Sequence, residues 1–203
     1  MSKGMRELQS EQTRESIIDA ATRMFVRKGF FGTSIADIAT AVDMTKGALY
    51  HHFENKDAIF LAVIEKIKRT WLTMVGREVL KSRDAEVRLE ALLDGHARLI
   101  EQNEAFCLVL NSVITEMDGV NPAFRDAVEG VYADLLRFVE QIVRKGQASG
   151  QVRSDIDAKL TAFAIVGVLR GTGCSYAIFH RLGADYTALM ETAKKVLIAG
   201  LKP

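Results

Sequence analysis

TSIADIATAVDMTKGALYHHF, residues 33–53, is the stretch on which the reading of this chain turns. Ser34 and Asp37 have the spacing of a capping box, in which hydroxyl and carboxylate satisfy free amides at a helix start. Ile35, Ile38, Ala39 and Val42 then recur at helical spacing and make one buried face. Asp43 and Met44 interrupt that pattern, and Asp tolerates the left-handed backbone of a tight turn. Thr45 can cap a second helix whose inner face is Leu49 and Phe53. Lys46, Gly47, Ala48, Tyr50, His51 and His52 are left pointing outward. The pattern predicts a helix-turn-helix with its second helix presented to a DNA major groove.

Outward from this stretch the chain reads as helices throughout. Residues 1–10 read as a flexible arm. A helix from about Glu11 to Lys28 carries Ile17, Ile18, Ala21, Met24 and Phe25 as an apolar stripe and stops at Gly29. Asn55 is a good N-cap for a linking helix, residues 56–75, with Phe60, Val63, Ile67, Trp71 and Met74 on one side. The pattern lapses from Gly76 to Asp84, then resumes over Ala85–Gln102 and Ala105–Met117. Asn121 and Pro122 open a long helix ending near Gly150. Asp155 or Asp157 opens another, running to about His180, and Asp185 opens a last one ending near Gly200. No segment reads as a strand. The expected architecture is all-α: a three-helix helix-turn-helix DNA-binding domain over residues 11–55, then a larger C-terminal helical domain over 56–203.

Composition bounds what such a chain can do. Its 203 residues can bury a substantial core, and 48% are hydrophobic without an apolar run approaching a membrane span. The start, MSKGMRELQSEQ, lacks the apolar core of a signal peptide, so a cytoplasmic, bacterial, nucleoid-associated protein is expected. Cys107 and Cys174 are too far apart in sequence for a disulfide framework or a metal motif, and read as reduced thiols. The net charge of +1 gives no general pull toward nucleic acid. Placement matters more. Between Met44 and Phe53 there are one Lys, two His and no acid, beside the free amides of a helix start.

The run IATAVDMTKGALYHHFENK, Ile38 to Lys56, closely resembles the pattern of the tetracycline-repressor (TetR) family. That pattern is I-A, a turn, then S/T-K-G-x-L-Y-x-H-F with a basic residue shortly after. Gly29, Phe30, Phe31 and the Thr33–Ser34 start support it, and Asp43 stands where the family often has Gly. The resemblance implies that Tyr50, His52 and Lys56 grip the DNA backbone and set register. Lys46, Gly47, Ala48 and His51 are the candidates for base edges. With Thr33, Ser34 and Thr45 they complete the expected DNA-binding set. It also implies that the last two helices of each subunit form a four-helix dimer interface. Here Leu160, Phe163, Ala164, Gly167 and Gly171 on one helix, and Leu189, Ala193, Val196 and Leu197 on the other, are the candidates. A dimer has a physical motive as well, since two recognition helices read a palindrome with half-sites roughly 34–36 Å apart or a multiple of that.

In the C-terminal part, polar groups interrupt apolar faces, as they do around a ligand cavity. His96 falls on its helix's apolar stripe and reads either as a satisfied core His or as a ligand's hydrogen-bonding partner. Asn111 and Thr115 lie one turn apart beside Phe106 and Cys107. Trp71, Met74, Tyr132, Cys174 and Tyr176 are further wall candidates. The expected function is a sequence-specific transcriptional regulator, a repressor released from its operator when an apolar or aromatic effector displaces the linking helix. His51, His52, His96 and His180 show no spacing for an enzyme site, and no cofactor or metal is expected. Two rivals remain: a metal-responsive regulator in which His96 meets Cys107 or Glu116, and a helical protein-interaction module.

Overall fold

The structure, a computed structural model, describes residues 3–116 and 121–203, with side chains for 4–113 and 121–203. The chain divides into two compact units: Met1–Ile67 with Leu108–Ala127, and Lys68–Cys107 with Val128–Pro203.

The first unit holds α1 (Lys3–Lys28), α2 (Ile35–Ala41), α3 (Lys46–Tyr50) and most of α4 (Lys56–Trp71). The apolar stripe of α1 is buried as its spacing requires, with Ile17, Ile18, Ala21 and Phe25 inside. The centre is aromatic. Phe60 of α4 packs 5.1 Å from Phe25, 5.2 Å from Phe30 and 4.8 Å from Phe124, and Phe30 meets Phe124 at 5.2 Å. Tilted and edge contacts at these separations are the favoured geometry for rings. Lys66 ties α4 to α1 through Glu15 at 2.9 Å and Asp19 at 2.7 Å.

Two expectations change here. Residues 3–10, read as a flexible arm, are the exposed first turns of α1. Arg6, Glu7, Leu8 and Gln9 are good helix formers, and no proline stands in the way. The second change concerns the boundary expected at residue 55. The greater part of α4 and residues 108–127 group with the first unit. Phe124 explains why: it is fully buried against Phe30 and Phe60.

The second unit begins at the end of α4, which runs through a π-helical turn, Leu72–Gly76, into α5 (Arg77–Val79). The loop expected over 76–84 is therefore shorter than its sequence suggests. Then come α6 (Ala85–Glu116), α7 (Pro122–Ala148), α8 (Ala158–Cys174), α9 (Tyr176–Arg181) and α10 (Tyr186–Leu201). The break expected between Gln102 and Ala105 is a kink inside α6, where Asn103 leaves helical geometry at φ −143°, ψ 47°. The helix expected to reach His180 stops at Cys174, because Ser175 leaves the helix before α9 begins. Asp157 and Asp185 cap α8 and α10, accepting from the amides of Leu160 and Ala188. Leu89, Leu92, Leu93, Ile100, Val139, Ile142, Ile165 and Leu169 fill the core. No helix among the described residues is long and apolar enough to cross a membrane.

Candidate functional site

The helix pair is built by its caps. The Ser34 amide donates to Asp37 Oδ2 at 2.9 Å, and the Asp37 amide donates to Ser34 Oγ at 3.1 Å. Hydrogen bonds from Ser34, side chain first and then amide, with Lys28 at 3.1 Å, hold the Asp37 carboxyl down to about 2. Ile38 and Ala39 are buried behind α2. Asp43 takes φ +54°, the left-handed turn that its side chain tolerates, and the Met44 amide donates back to Ala39. Thr45 Oγ1 then accepts from the Ala48 amide at 3.2 Å, starting α3. Leu49 and Phe53 face inward. Ser34, Thr45, Lys46, Gly47, Tyr50 and His51 are exposed, and Ala48 and His52 are half-buried. A capped helix, a left-handed turn and a second capped helix with an outward polar face define a DNA-binding helix-turn-helix.

Two members of the expected DNA-binding set also hold the turn together from within. Thr33 is 1% exposed, and its hydroxyl donates to the carbonyls of Gly29 at 2.8 Å and Met24 at 3.3 Å. It ties the turn to the end of α1. Lys56 Nζ donates to the Phe30 carbonyl at 2.7 Å and the Thr33 carbonyl at 2.9 Å, 4.1 Å from the centre of the Phe30 ring. Burial lowers its pKa, and Asp57 opposes that. An ammonium has three donors, and two are spent here. The carbonyls just past the Gly29 stop have no helical partner, and Lys56 supplies one. Lys56 therefore sets the position of α2 from behind.

In the second unit, buried His96 pairs its Nε2 with the Leu169 carbonyl at 3.0 Å, while its Nδ1 has no partner. Burial pushes its pKa down to about 4, and the Leu169 bond works the other way. Around Gly173 the structure gathers several residues that the sequence placed far apart. A Cβ there would sit 2.8 Å from Cys107 Sγ and 3.4 Å from His96 Nε2. Cys174 Sγ lies 4.0 Å from the Cys107 carbonyl. Tyr132, with its phenol pushed up to about 12 by burial, neighbours Arg170 on the same side. Gly173 was missed because nothing local marks a glycine that another helix approaches.

The other ligand candidates scatter. Trp71 meets Phe138 edge-on at 5.7 Å, and the Arg88 guanidinium lies 5.8 Å from the Phe138 ring centre. Trp71 Nε1 and Arg88 Nε are buried without partners, which is uncommon for donors. Met74 Sδ lies 4.0 Å from Asn103 Nδ2. Tyr176 stacks on His180 and meets Tyr186 edge-on, and Phe106 is buried. Asn111 belongs to the first unit. The side chains of Thr115 and Glu116 lie outside the described residues. Among the described residues, no three His, Cys, Asp or Glu side chains gather as metal ligands.

Stability should fall as His96 is forced to take a proton. Its pKa is lower folded than the ordinary 6.5, so the unfolded chain binds the proton more readily. Stability is therefore complete above about pH 6.5 and declines toward pH 4, by about 3 kcal/mol once His96 is protonated in both states. Urea midpoints at pH 7 and 4.5 should show that decline in the natural chain and a smaller one in His96→Gln. An equal decline in both would assign the titration to other groups.

The expected partner stripe points outward. Leu160 is 68% exposed, Phe163 50% and Val196 67%, and Ala164, Gly167 and Gly171 are exposed beside them. Leu189, Ala193 and Leu197 are half-buried on neighbouring α10.

Residues 17–63 match the model of bacterial regulatory proteins of the tetR family, and residues 85–190 match the tetracyclin repressor-like C-terminal domain. The HTH-type transcriptional repressor KstR2 of Rhodococcus jostii (strain RHA1) is 30% identical over 187 residues, spanning 86% of this chain and 82% of that protein. The transcriptional regulator FadR from Bacillus subtilis in complex with stearoyl-CoA superposes with a TM-score of 0.77 at 20% identity, covering 92% and 98% of the two chains. AibR in complex with isovaleryl coenzyme A and operator DNA gives 0.66 at 22% identity, covering 78% and 84%. The two structural likenesses establish the fold. The chain belongs to the tetR family of bacterial regulatory proteins. It is a DNA-binding regulator of transcription, and the enzyme and protein-interaction readings fall away.

Proposed function

We propose that this regulator is a repressor that binds a palindromic operator as a homodimer and leaves it when an acyl thioester of coenzyme A occupies the second unit. The observation that carries the DNA half is α3, which presents Lys46, Gly47, Ala48 and His51 from a capped, rigidly backed frame. Tyr50 and His52 flank them as phosphate partners, together with the free amides at the start of α3. Lys46 can donate to guanine, Ala48 can touch a thymine methyl, and Gly47 lets the backbone come close. The protein would act in the cytoplasm, on the chromosome.

Three observations support the effector half. FadR and AibR were each solved with an acyl-CoA, and AibR with operator DNA as well. The second unit buries the Trp71 and Arg88 donors without partners beside the Phe138 ring. Its α4 end carries a π-helical turn, and such turns recur at functional sites. An effector shifts operator affinity only by its difference in affinity for the two states of the protein.

The test is selection of bound duplexes from a random-sequence pool, followed by titration of the complex with acyl-CoA of increasing chain length. An enriched palindrome released by one range of chain lengths is the expected result. Tyr50→Phe should weaken binding to every sequence alike. Lys46→Ala should cost about 1–3 kcal/mol and relax preference at one position of each half-site. A selected sequence without two-fold symmetry would overturn the dimer, and indifference to every acyl-CoA would overturn the effector class.

A further inference from the structure

We infer that Cys107 and Cys174 form a peroxide-reactive dithiol that closes into an intrachain disulfide joining α6 to α8. They are the chain's two cysteines, both half-buried thiols. The notch over Gly173 brings them together: Cys107 Sγ lies only 2.8 Å from where a Cβ on that residue would fall. Cys174 is the next residue, its Sγ 4.0 Å from the Cys107 carbonyl.

The pair is asymmetric, which assigns the roles. Neighbouring Cys107 and then the charge of Arg170, one turn back on α8, bring the Cys174 thiol down from its ordinary value. These influences work against the negative end of α8, which disfavours a thiolate. The Cys174 neighbour, and then burial, push the Cys107 thiol up. Cys174, one turn from the Arg170 charge, is therefore assigned as the attacking sulfur, and Cys107, packed over Gly173, as the resolving one.

The chemistry balances in two steps. The Cys174 thiolate attacks one oxygen of hydrogen peroxide, the O–O bond breaks, and water leaves after taking a proton, giving a sulfenic acid. Cys107 sulfur then attacks Cys174 sulfur and expels the hydroxyl, which leaves as water with the Cys107 proton. Two thiols are oxidised and one peroxide is reduced to two waters. The bond adds a covalent tie between α6 and α8 beside the His96–Leu169 hydrogen bond. That this tie changes operator affinity rests on the repressor reading above.

The experiment treats reduced full-length protein with stoichiometric hydrogen peroxide and follows thiols and tryptic peptides by mass spectrometry. Expected are loss of both thiols, a mass lower by two hydrogens and one peptide pair linking Cys107 to Cys174, all reversed by dithiothreitol. Cys107→Ser should stop at a sulfenic acid on Cys174 that dimedone traps. Cys174→Ser should lose its remaining thiol about tenfold more slowly than Cys107→Ser loses its own. Two thiols surviving, a link formed only between chains, or equal rates in the two variants would overturn the dithiol. Oxidation should shift affinity for a selected operator at least about fivefold. No shift, with reduced protein binding normally, would overturn the regulatory part. Failure of the reduced protein to bind any duplex would strike the repressor reading alone, with the thiol measurements still standing.

Discussion

Phe163→Glu should leave a folded, helical chain that sediments as a monomer and binds its operator about 10²–10⁴-fold more weakly. Phe163 is half exposed on α8, so the substitution removes little of the chain's own packing. Leu160 one turn before it, with Val196 on neighbouring α10, makes three large apolar side chains left to solvent on this part of the unit. Water disfavours such a surface, at roughly 25 cal/mol for each Å² left uncovered. A partner's equivalent face would cover it, and a two-fold interface brings residue 163 close to its symmetry neighbours. A carboxylate there must be buried without a counter-ion or keep the subunits apart. The loss in operator affinity follows from avidity. In a dimer, the second recognition helix finds its half-site at the effective concentration set by the first, which is worth 10²–10⁴-fold. Sedimentation and operator titration on the same preparation check both halves. A variant that remains dimeric would move the interface elsewhere.

The caps of the helix-turn-helix were legible in the sequence because each joins residues at most four apart. Ser34 with Asp37, Thr45 with Ala48, Asn55 with Ala58 and the left-handed Asp43 all sit where local spacing put them. The roles of Thr33 and Lys56 were not legible. Both are polar residues beside a DNA-reading motif, and only the folded turn shows that their hydrogen atoms point at carbonyls inside the protein. The Lys56 bonds span 26 and 23 residues, and no periodicity predicts them. That His96 could meet Cys107 was an open reading of the sequence, but the place of Gly173 between them was hidden for the same reason. Local pattern placed each on its helix, but the close approach of α6 and α8 depends on tertiary packing. The scatter of the other ligand candidates has a different origin. An apolar stripe interrupted by Trp or Met looks alike whether it lines a cavity or fills a core.

Phe124→Ala should destabilise the DNA-binding unit by about 3–5 kcal/mol, although residue 124 lies far along the chain from the helix-turn-helix. Phe124 is fully buried, 4.8 Å from Phe60 and 5.2 Å from Phe30 by ring centre. Truncation loses the transfer energy of the ring and leaves a cavity between aromatic rings that cannot easily collapse. Phe30 is the pivot of the effect. Its carbonyl accepts from Lys56, which also holds the Thr33 carbonyl immediately before the capped start of α2. A loosened Phe30 therefore releases the frame that presents α3. Nearby, Asn121 donates to Asp57 at 2.8 Å across 64 residues of sequence, so α4 is held by the same segment. Hydrogen exchange should show faster amides in α1, α2 and α4 of the variant, with α8 and α10 much less affected. A fragment ending at Ile67 should show the same loosening, since it lacks Phe124 altogether. Uniform exchange in the two units, or a fragment as protected as the whole chain, would show that Phe124 is not part of this core's support.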